Sequence, residues 1–142
     1  MPSELTVCAV HKGGMRFTAT VDKHSVAIDY PLQPDQEVTG PTPLQLLLAS
    51  LAACAGSTLA LVLRRMQQPF EALEVHTRGH RRDEHPTVIT DIELEFVIAG
   101  SGVDDSAVER ALKVAEEQLC PVWAMLKPGT PITPTFRIVE AV

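Results

Sequence analysis

The sequence predicts an α+β fold, and three observations carry that expectation. The first thirty residues read as short β-rich runs broken by turns. A long uncharged helical run then extends from Gly40 to Leu63. Beyond it come two longer strand-like segments, an amphipathic helix and a last β-rich run. Strands grouped on either side of helices, without a regular β-α alternation, are the pattern of α+β domains. At 142 residues and 45% hydrophobic content, the chain is long enough for one real core. No repeat, low-complexity tract or linker interrupts it, so residues 1–142 are expected to form a single domain.

Each element has a local reason. Leu5 to Val10 is β-rich, His11-Lys-Gly-Gly14 reads as a turn, and Met15 to Val21 alternates loosely. Ser25 to Tyr30 follows after Asp22-Lys-His, which completes a three-strand β-meander. Four prolines between Pro31 and Pro43 make a loop. Thr42 suits an N-cap, Pro43 the first helical position, and Gln45 the third position of a capping box. The helix should end near Met66, with Arg64 and Arg65 favourable at its C-terminus and Pro69 beyond. Phe70 to Arg81 and Val88 to Ile98 read as strands, the second half-buried by its imperfect alternation. Gly100-Ser-Gly-Val-Asp is a turn. A second helix starts at Asp105 or Ser106, with Val108, Leu112, Ala115 and Leu119 on one stripe. A short helix after Pro121 and a strand from Ile132 to Val139 complete the chain.

Composition narrows the function. A net charge of −6 with no basic run argues against nucleic acid. The start, Met1-Pro-Ser-Glu-Leu-Thr, has neither basic nor apolar leader character, so a secreted precursor is not expected. Three widely spaced cysteines suit reduced thiols in a cytoplasm better than a disulfide framework. The uncharged helix must be weighed as a membrane span, which needs about 20 apolar residues. Its two prolines, Gln45, Ser50, Ser57 and Thr58 favour instead the central helix of a soluble protein or dimer, with no membrane partner.

Candidate chemistry concentrates on thiols. Cys54 lies in mid-helix, where no helix N-terminus can lower its pKa, so a thiolate there needs a cation from another segment. A small hydrophobe in a helix seam is the commoner role for such a residue. Cys120 precedes Pro121 and falls near an N-cap, where free backbone donors can stabilise a thiolate; an inert cysteine in a helix break fits equally. Cys8 reads as a core residue. Arg16 starts a strand, where a solvated edge charge is the usual reading. Arg78 to His85 reads as a solvated hairpin end. The five histidines form no metal signature, and no phosphate loop, nucleophile elbow or Cys-x-x-Cys is present. Neither a metal nor a cofactor is expected.

Three segments together resemble one family. They are Gly13-Gly-Met-Arg16-Phe, Gly40-Pro-Thr-Pro-Leu-Gln-Leu-Leu-Leu-Ala-Ser-Leu-Ala-Ala-Cys54, and Glu117-Gln-Leu-Cys120-Pro-Val. They are similar to the OsmC/Ohr proteins, the osmotically inducible and organic hydroperoxide resistance proteins, over nearly the whole chain. Gly-Gly-Met-Arg and Gly-Pro-Thr-Pro look more like the broad OsmC-like branch. The resemblance implies an intertwined homodimer around long central helices, with sheets combining strands of both chains. It also implies a cysteine-based peroxidase acting on organic hydroperoxides. Cys54 would attack the peroxide, Cys120 would condense with the resulting sulfenic acid to a disulfide, and a dithiol would reduce that disulfide. Arg16 matches the arginine that stabilises the thiolate. The family commonly places a glutamate near the start of the cysteine helix, where this chain has Leu44 and Gln45. Gln45 can cap the helix but brings no charge to orient Arg16. The alternative is a non-enzymatic dimer of the same fold that binds a small apolar ligand at its interface. A metal site using Cys54, Cys120 and a histidine lacks the usual spacing.

Overall fold

The structure, a computed structural model, describes residues 3–141. Of the expected 1–142 domain, Met1, Pro2 and Val142 lie outside the described residues. The chain forms two compact units, Met1–Leu47 and Leu48–Val142, and their boundary falls inside the long helix.

The first unit is an antiparallel meander of β1 (Cys8–Gly13), β2 (Arg16–Val21) and β3 (His24–Ile28), in the order β1-β2-β3. β1 begins later than the sequence suggests and runs through His11 and Lys12. The turn is pushed to Gly14-Met15, with a register irregularity between His11 and Gly13. Gly13 and Gly14 both have positive φ, 106° and 55°, which glycine adopts without strain. The His11 ring holds the turn through a 2.8 Å hydrogen bond to the Gly14 carbonyl. Asp22 turns β2 into β3 at φ 54°, a conformation that aspartate tolerates. Every residue of β1 is exposed, Cys8 included, so Cys8 is not the core residue expected.

Residues 29–42 return along β3 as a loop. Gly40 passes so close that a Cβ there would stand 2.1 Å from the Ala27 carbonyl oxygen. Only glycine allows that approach.

Helix α1 (Pro43–Arg65) starts as the residues dictate. The Thr42 N–H donates to Gln45 Oε1 at 2.9 Å, and the Gln45 N–H donates to Thr42 Oγ1 at 3.2 Å. This reciprocal box satisfies two otherwise orphaned donors. The helix ends in a Schellman arrangement. The Gln68 N–H donates to the Leu63 carbonyl, the Gln67 N–H to the Arg64 carbonyl, and Gln67 takes φ 58°. Glycine usually occupies that position, so glutamine gave no signal of it.

By length and composition alone, α1 could cross a membrane. An 18-residue window has a mean hydropathy of 2.2, and 33% of it is buried. The buried residues are Leu51, Ala55, Gly56, Leu59, Val62 and Leu63. Ala49, Ser50, Ala53, Ser57 and Leu61 form an exposed uncharged stripe.

In the second unit, β4 (Ala72–Arg81), β5 (Ile89–Ala99) and β6 (Ile132–Val139) form one sheet with β5 in the centre. β4 pairs antiparallel and β6 parallel, the latter reached through the helical connection between them. Ile92, Leu94, Phe96 and Ile98 are buried on one face of β5. A register shift lies between His80 and Arg81, where Arg81 pairs with Ile89 and His80 with Asp91. The extra residue is the reason for the imperfect alternation in β5: it lets Ile89 and Ile92 both be buried. The other face is polar, with Arg78 3.6 Å and His80 3.2 Å from Glu93, and Arg137 3.7 Å from Glu95. Exposed pairs of this kind contribute at most about 1 kcal/mol each.

Helix α2 (Asp105–Val114) is capped by Asp104, whose carboxylate accepts from the Ser106 N–H. It continues without a break into a π turn, Ala115–Leu119, and then α3 (Pro121–Leu126). Val108, Leu112 and Ala115 are buried as the stripe requires, but Leu119 is 39% exposed. The π turn is the cause: one extra residue rotates everything after it, and the inward position passes from Leu119 to Cys120.

Candidate functional site: a dithiol pair and a solvated arginine

Two long-range placements define the pair of sulfurs. Cys54 is carried by the middle of α1, half-buried. Cys120 is carried by the π turn, whose last hydrogen bond runs from the Cys120 N–H to the Ala115 carbonyl at 2.8 Å. Pro121 then starts α3 with Cys120 as its N-cap. The two sulfurs stand 3.1 Å apart, the Cys120 thiol donating to the Cys54 sulfur. They are free thiols, and Cys120 is 1% exposed.

The electrostatics of Cys120 differ from what a helix start suggests. Burial is the largest influence and pushes its thiol above the ordinary value of 9.0. Donation to Cys54 and the charge Cys54 can carry push it the same way. The backbone N–H of Trp123, in the first turn of α3, and the Thr58 hydroxyl act against them. A short helix offers one useful donor, and loss of water costs a thiolate more than that donor returns. Cys120 is therefore held as the protonated partner.

Thr58 and Trp123 were not singled out from sequence. Thr58 lies one turn beyond Cys54 on α1, and its hydroxyl donates to the Cys54 carbonyl. Ser57 donates to the same carbonyl at 3.2 Å and to the Ala53 carbonyl at 2.7 Å. The spacing from Cys54 was the available signal, yet hydroxyls in helices commonly bond back to the chain without further meaning. Trp123 is 1% exposed, and its indole N–H has no partner among the described residues.

Arg16 and Gln45 belong to the first unit. Arg16 is exposed, and its guanidinium donates to the Lys12 carbonyl at 3.2 Å. Gln45 is engaged in the capping box. An open cleft of about 370 Å³ in this unit is lined by Arg16, Asp29, Gln36, Glu37 and Thr39 among others. Asp29, which the sequence reading passed over, is 5% exposed. Its carboxylate accepts from the Thr39 N–H at 3.0 Å, the Tyr30 N–H at 2.8 Å and the Thr39 hydroxyl at 3.2 Å. The Thr39 amide above all, then Tyr30, the Thr39 hydroxyl and the Arg16 charge, holds it below the usual carboxylate range against the opposing effect of burial. A carboxylate at the end of a strand and before a proline-rich loop was the visible signal.

A family model described as OsmC-like protein matches residues 34–135. The chain is 31% identical over 101 residues to Protein YhfA of Escherichia coli K12, covering 71% of this chain and 75% of that one. Among solved structures, the fold is similar to that of an OsmC-like protein from Mycoplasma pneumoniae. The TM-score is 0.85 at 22% identity, covering 98% of this chain and 99% of that one. It is also similar to an organic hydroperoxide resistance protein from Elizabethkingia anophelis, with a TM-score of 0.75 at 20% identity, covering 98% of this chain and all of that one. The meander, the long helix and the second sheet with its helical crossover are thus those of one fold, and the chain belongs to the OsmC-like protein family.

Proposed function

We propose that the protein is a thiol peroxidase that reduces organic hydroperoxides. The observation that carries this reading is the 3.1 Å approach of Cys120 to Cys54, from elements 66 residues apart in sequence. The Cys54 thiolate attacks the terminal peroxide oxygen. The O–O bond breaks, the alkoxide leaves and is protonated to the alcohol, and Cys54 becomes a sulfenic acid. Cys120 loses its proton and attacks the Cys54 sulfur, forming the disulfide as water leaves. An external dithiol then restores both thiols by exchange and is itself oxidised to a disulfide. Arg16 is given the role of the family arginine, the cation that favours the Cys54 thiolate. No metal or cofactor takes part. The reductant and the reduced cysteines suit a cytoplasmic setting.

The working form is proposed to be the intertwined homodimer. The exposed uncharged stripe of α1 from Ala49 to Leu61 supports it, because a second copy would cover apolar surface left open in one chain. Light scattering should give twice the chain mass at micromolar concentration; a stable monomer would count against it. The same stripe supports the second reading, a dimer that binds a small apolar ligand and leaves its cysteines as lining.

A free-thiol count separates the two readings. After one equivalent of cumene hydroperoxide, two thiols per chain should disappear. An unchanged count would favour the binder and end the peroxidase reading.

A further inference from the structure

We propose that the π turn Ala115–Leu119 is a two-register switch. One register holds Cys120 against Cys54; the other turns it to solvent, so that it cannot reverse the reduction of the disulfide. The inference rests on the two-cysteine reading above and deepens it to the step that follows attack by the external dithiol.

One inward slot has two candidate occupants. Counted at about 3.6 residues per turn, the buried stripe of Val108, Leu112 and Ala115 continues to Leu119. In the π register the slot belongs instead to Cys120, which is 1% exposed, and Leu119 is left 39% exposed. The last bond of that register runs from the Cys120 N–H to the Ala115 carbonyl at 2.8 Å. In an α register the same N–H bonds the Glu116 carbonyl, so one hydrogen bond replaces another. Leu119 then enters the slot, and Cys120 turns outward by about 100°, the rotation of one helical residue. Pro121 has no N–H, so the exchange orphans no donor there.

Little else opposes the exchange. Cys120 is extended, with φ −83° and ψ 105°, so the helix is already broken at the slot. Helix α3 has six residues and one buried side chain, Trp123, whose indole N–H has no partner among the described residues. A buried donor left unpaired favours a movement that brings it to water. The Glu116–Lys127 pair, 3.6 Å apart, ties the π turn to the end of α3, but both side chains are more than a third exposed. Such pairs hold weakly.

The switch acts during reduction. A thiolate of the dithiol attacks the disulfide at Cys54, the less buried of the two sulfurs. Cys120 leaves as a thiolate and takes a proton, and Cys54 carries the reductant as a mixed disulfide. At 3.1 Å, Cys120 would attack the same sulfur again and expel the reductant. Turned outward, it cannot reach Cys54. The second thiolate of the reductant then closes on its own first sulfur, Cys54 leaves and is protonated, and the reductant departs as a cyclic disulfide.

The test uses no peroxide. In a Cys8→Ser chain, one equivalent of diamide takes the two thiol hydrogens as the Cys54–Cys120 bond forms, and dithiothreitol then reduces that bond. Two variants hold Cys120 inward in different ways. Leu119→Gln makes the α register bury an amide. Deletion of Glu117 converts the π turn to an ordinary α turn with Cys120 in the slot and no second register. Each should slow thiol recovery about tenfold, the scale of burying an unpaired amide. Each should also slow labelling of Cys120 by iodoacetamide in the reduced chain by the same factor, read by peptide mass. Leu119→Met keeps the apolar occupant and should match the parent within about twofold. Thermal melts check folding, and if the deletion does not fold, Leu119→Gln carries the test alone. In the parent, Cys120 labelling should be insensitive to low urea, because a register change exposes little surface. Labelling that tracks global unfolding would overturn the inference, as would either rate staying at the parent value in the folded inward-held variants. A chain that consumes no peroxide but shows these effects loses the peroxidase reading and keeps this one.

Discussion

The two units handle their reactive groups in opposite ways. In the first, Arg16 is exposed and its neighbour Asp29 is held ionised by amide and hydroxyl donors around the 29–42 loop. In the second, Cys120 is buried and held neutral, because the sulfur has lost water and its thiol donates to a second sulfur. The first unit stabilises charge by supplying donors; the second suppresses it by withdrawing solvent. The proposed resolving thiol lies in the second environment, and the proposed cation lies in the first.

The largest test of that contrast removes the sulfurs. Cys54→Ser should abolish consumption of cumene hydroperoxide, measured as loss of the peroxide. Cys120→Ser should allow one turnover and leave a Cys54 sulfenic acid that dimedone traps by mass. Consumption by Cys54→Ser at the parent rate would remove Cys54 as the nucleophile. On the first unit, Arg16→Met should slow the peroxide step on the order of a hundredfold, the scale of losing one stabilising donor. The melting temperature should barely move, because exposed charges contribute less than about 1 kcal/mol. A large drop in stability with unchanged rate would reverse the roles assigned here.

Smaller effects follow from pH. A thiol whose folded pKa is raised stabilises the fold fully below its unfolded value and loses that contribution as pH rises through the folded one. The reduced chain should therefore lose stability above about pH 9.0, and Cys120→Ser should flatten that alkaline limb in thermal melts. Asp29 has the opposite sign. Its depressed pKa stabilises the fold above the unfolded value of 3.8, and that contribution is lost as pH falls through the folded value. Asp29→Asn should flatten the acid limb alone. The smallest expected change is Gln45→Glu, which keeps the capping box and adds the charge common in the family. A rise of a few-fold in peroxide rate, of the order one added charge interaction gives, would show that Arg16 benefits from a second carboxylate. An unchanged rate would show that Asp29 suffices.

Much of the fold was legible along the chain because its signals are local. Thr42, Pro43 and Gln45 start α1 by chemistry confined to one turn, and the strands of the second unit follow from alternation. Gln67 and the shift opposite Thr90 were not legible, because each is a conformation imposed on residues that do not demand it. Leu119 was placed wrongly for the same reason. A helical stripe counted at 3.6 residues per turn cannot know that a π turn adds one.

The sequence by itself determined the candidates: two cysteines, one inside an apolar helix and one before a proline, and an arginine at a strand start. Tertiary structure alone decided that the two sulfurs stand 3.1 Å apart and that burial pushes the Cys120 thiol up. Residue type sets what a thiol can do, whereas its pKa depends on the water and donors around it. For Cys120 the largest influences are burial and the Cys54 sulfur, 66 residues away, and no local pattern records either.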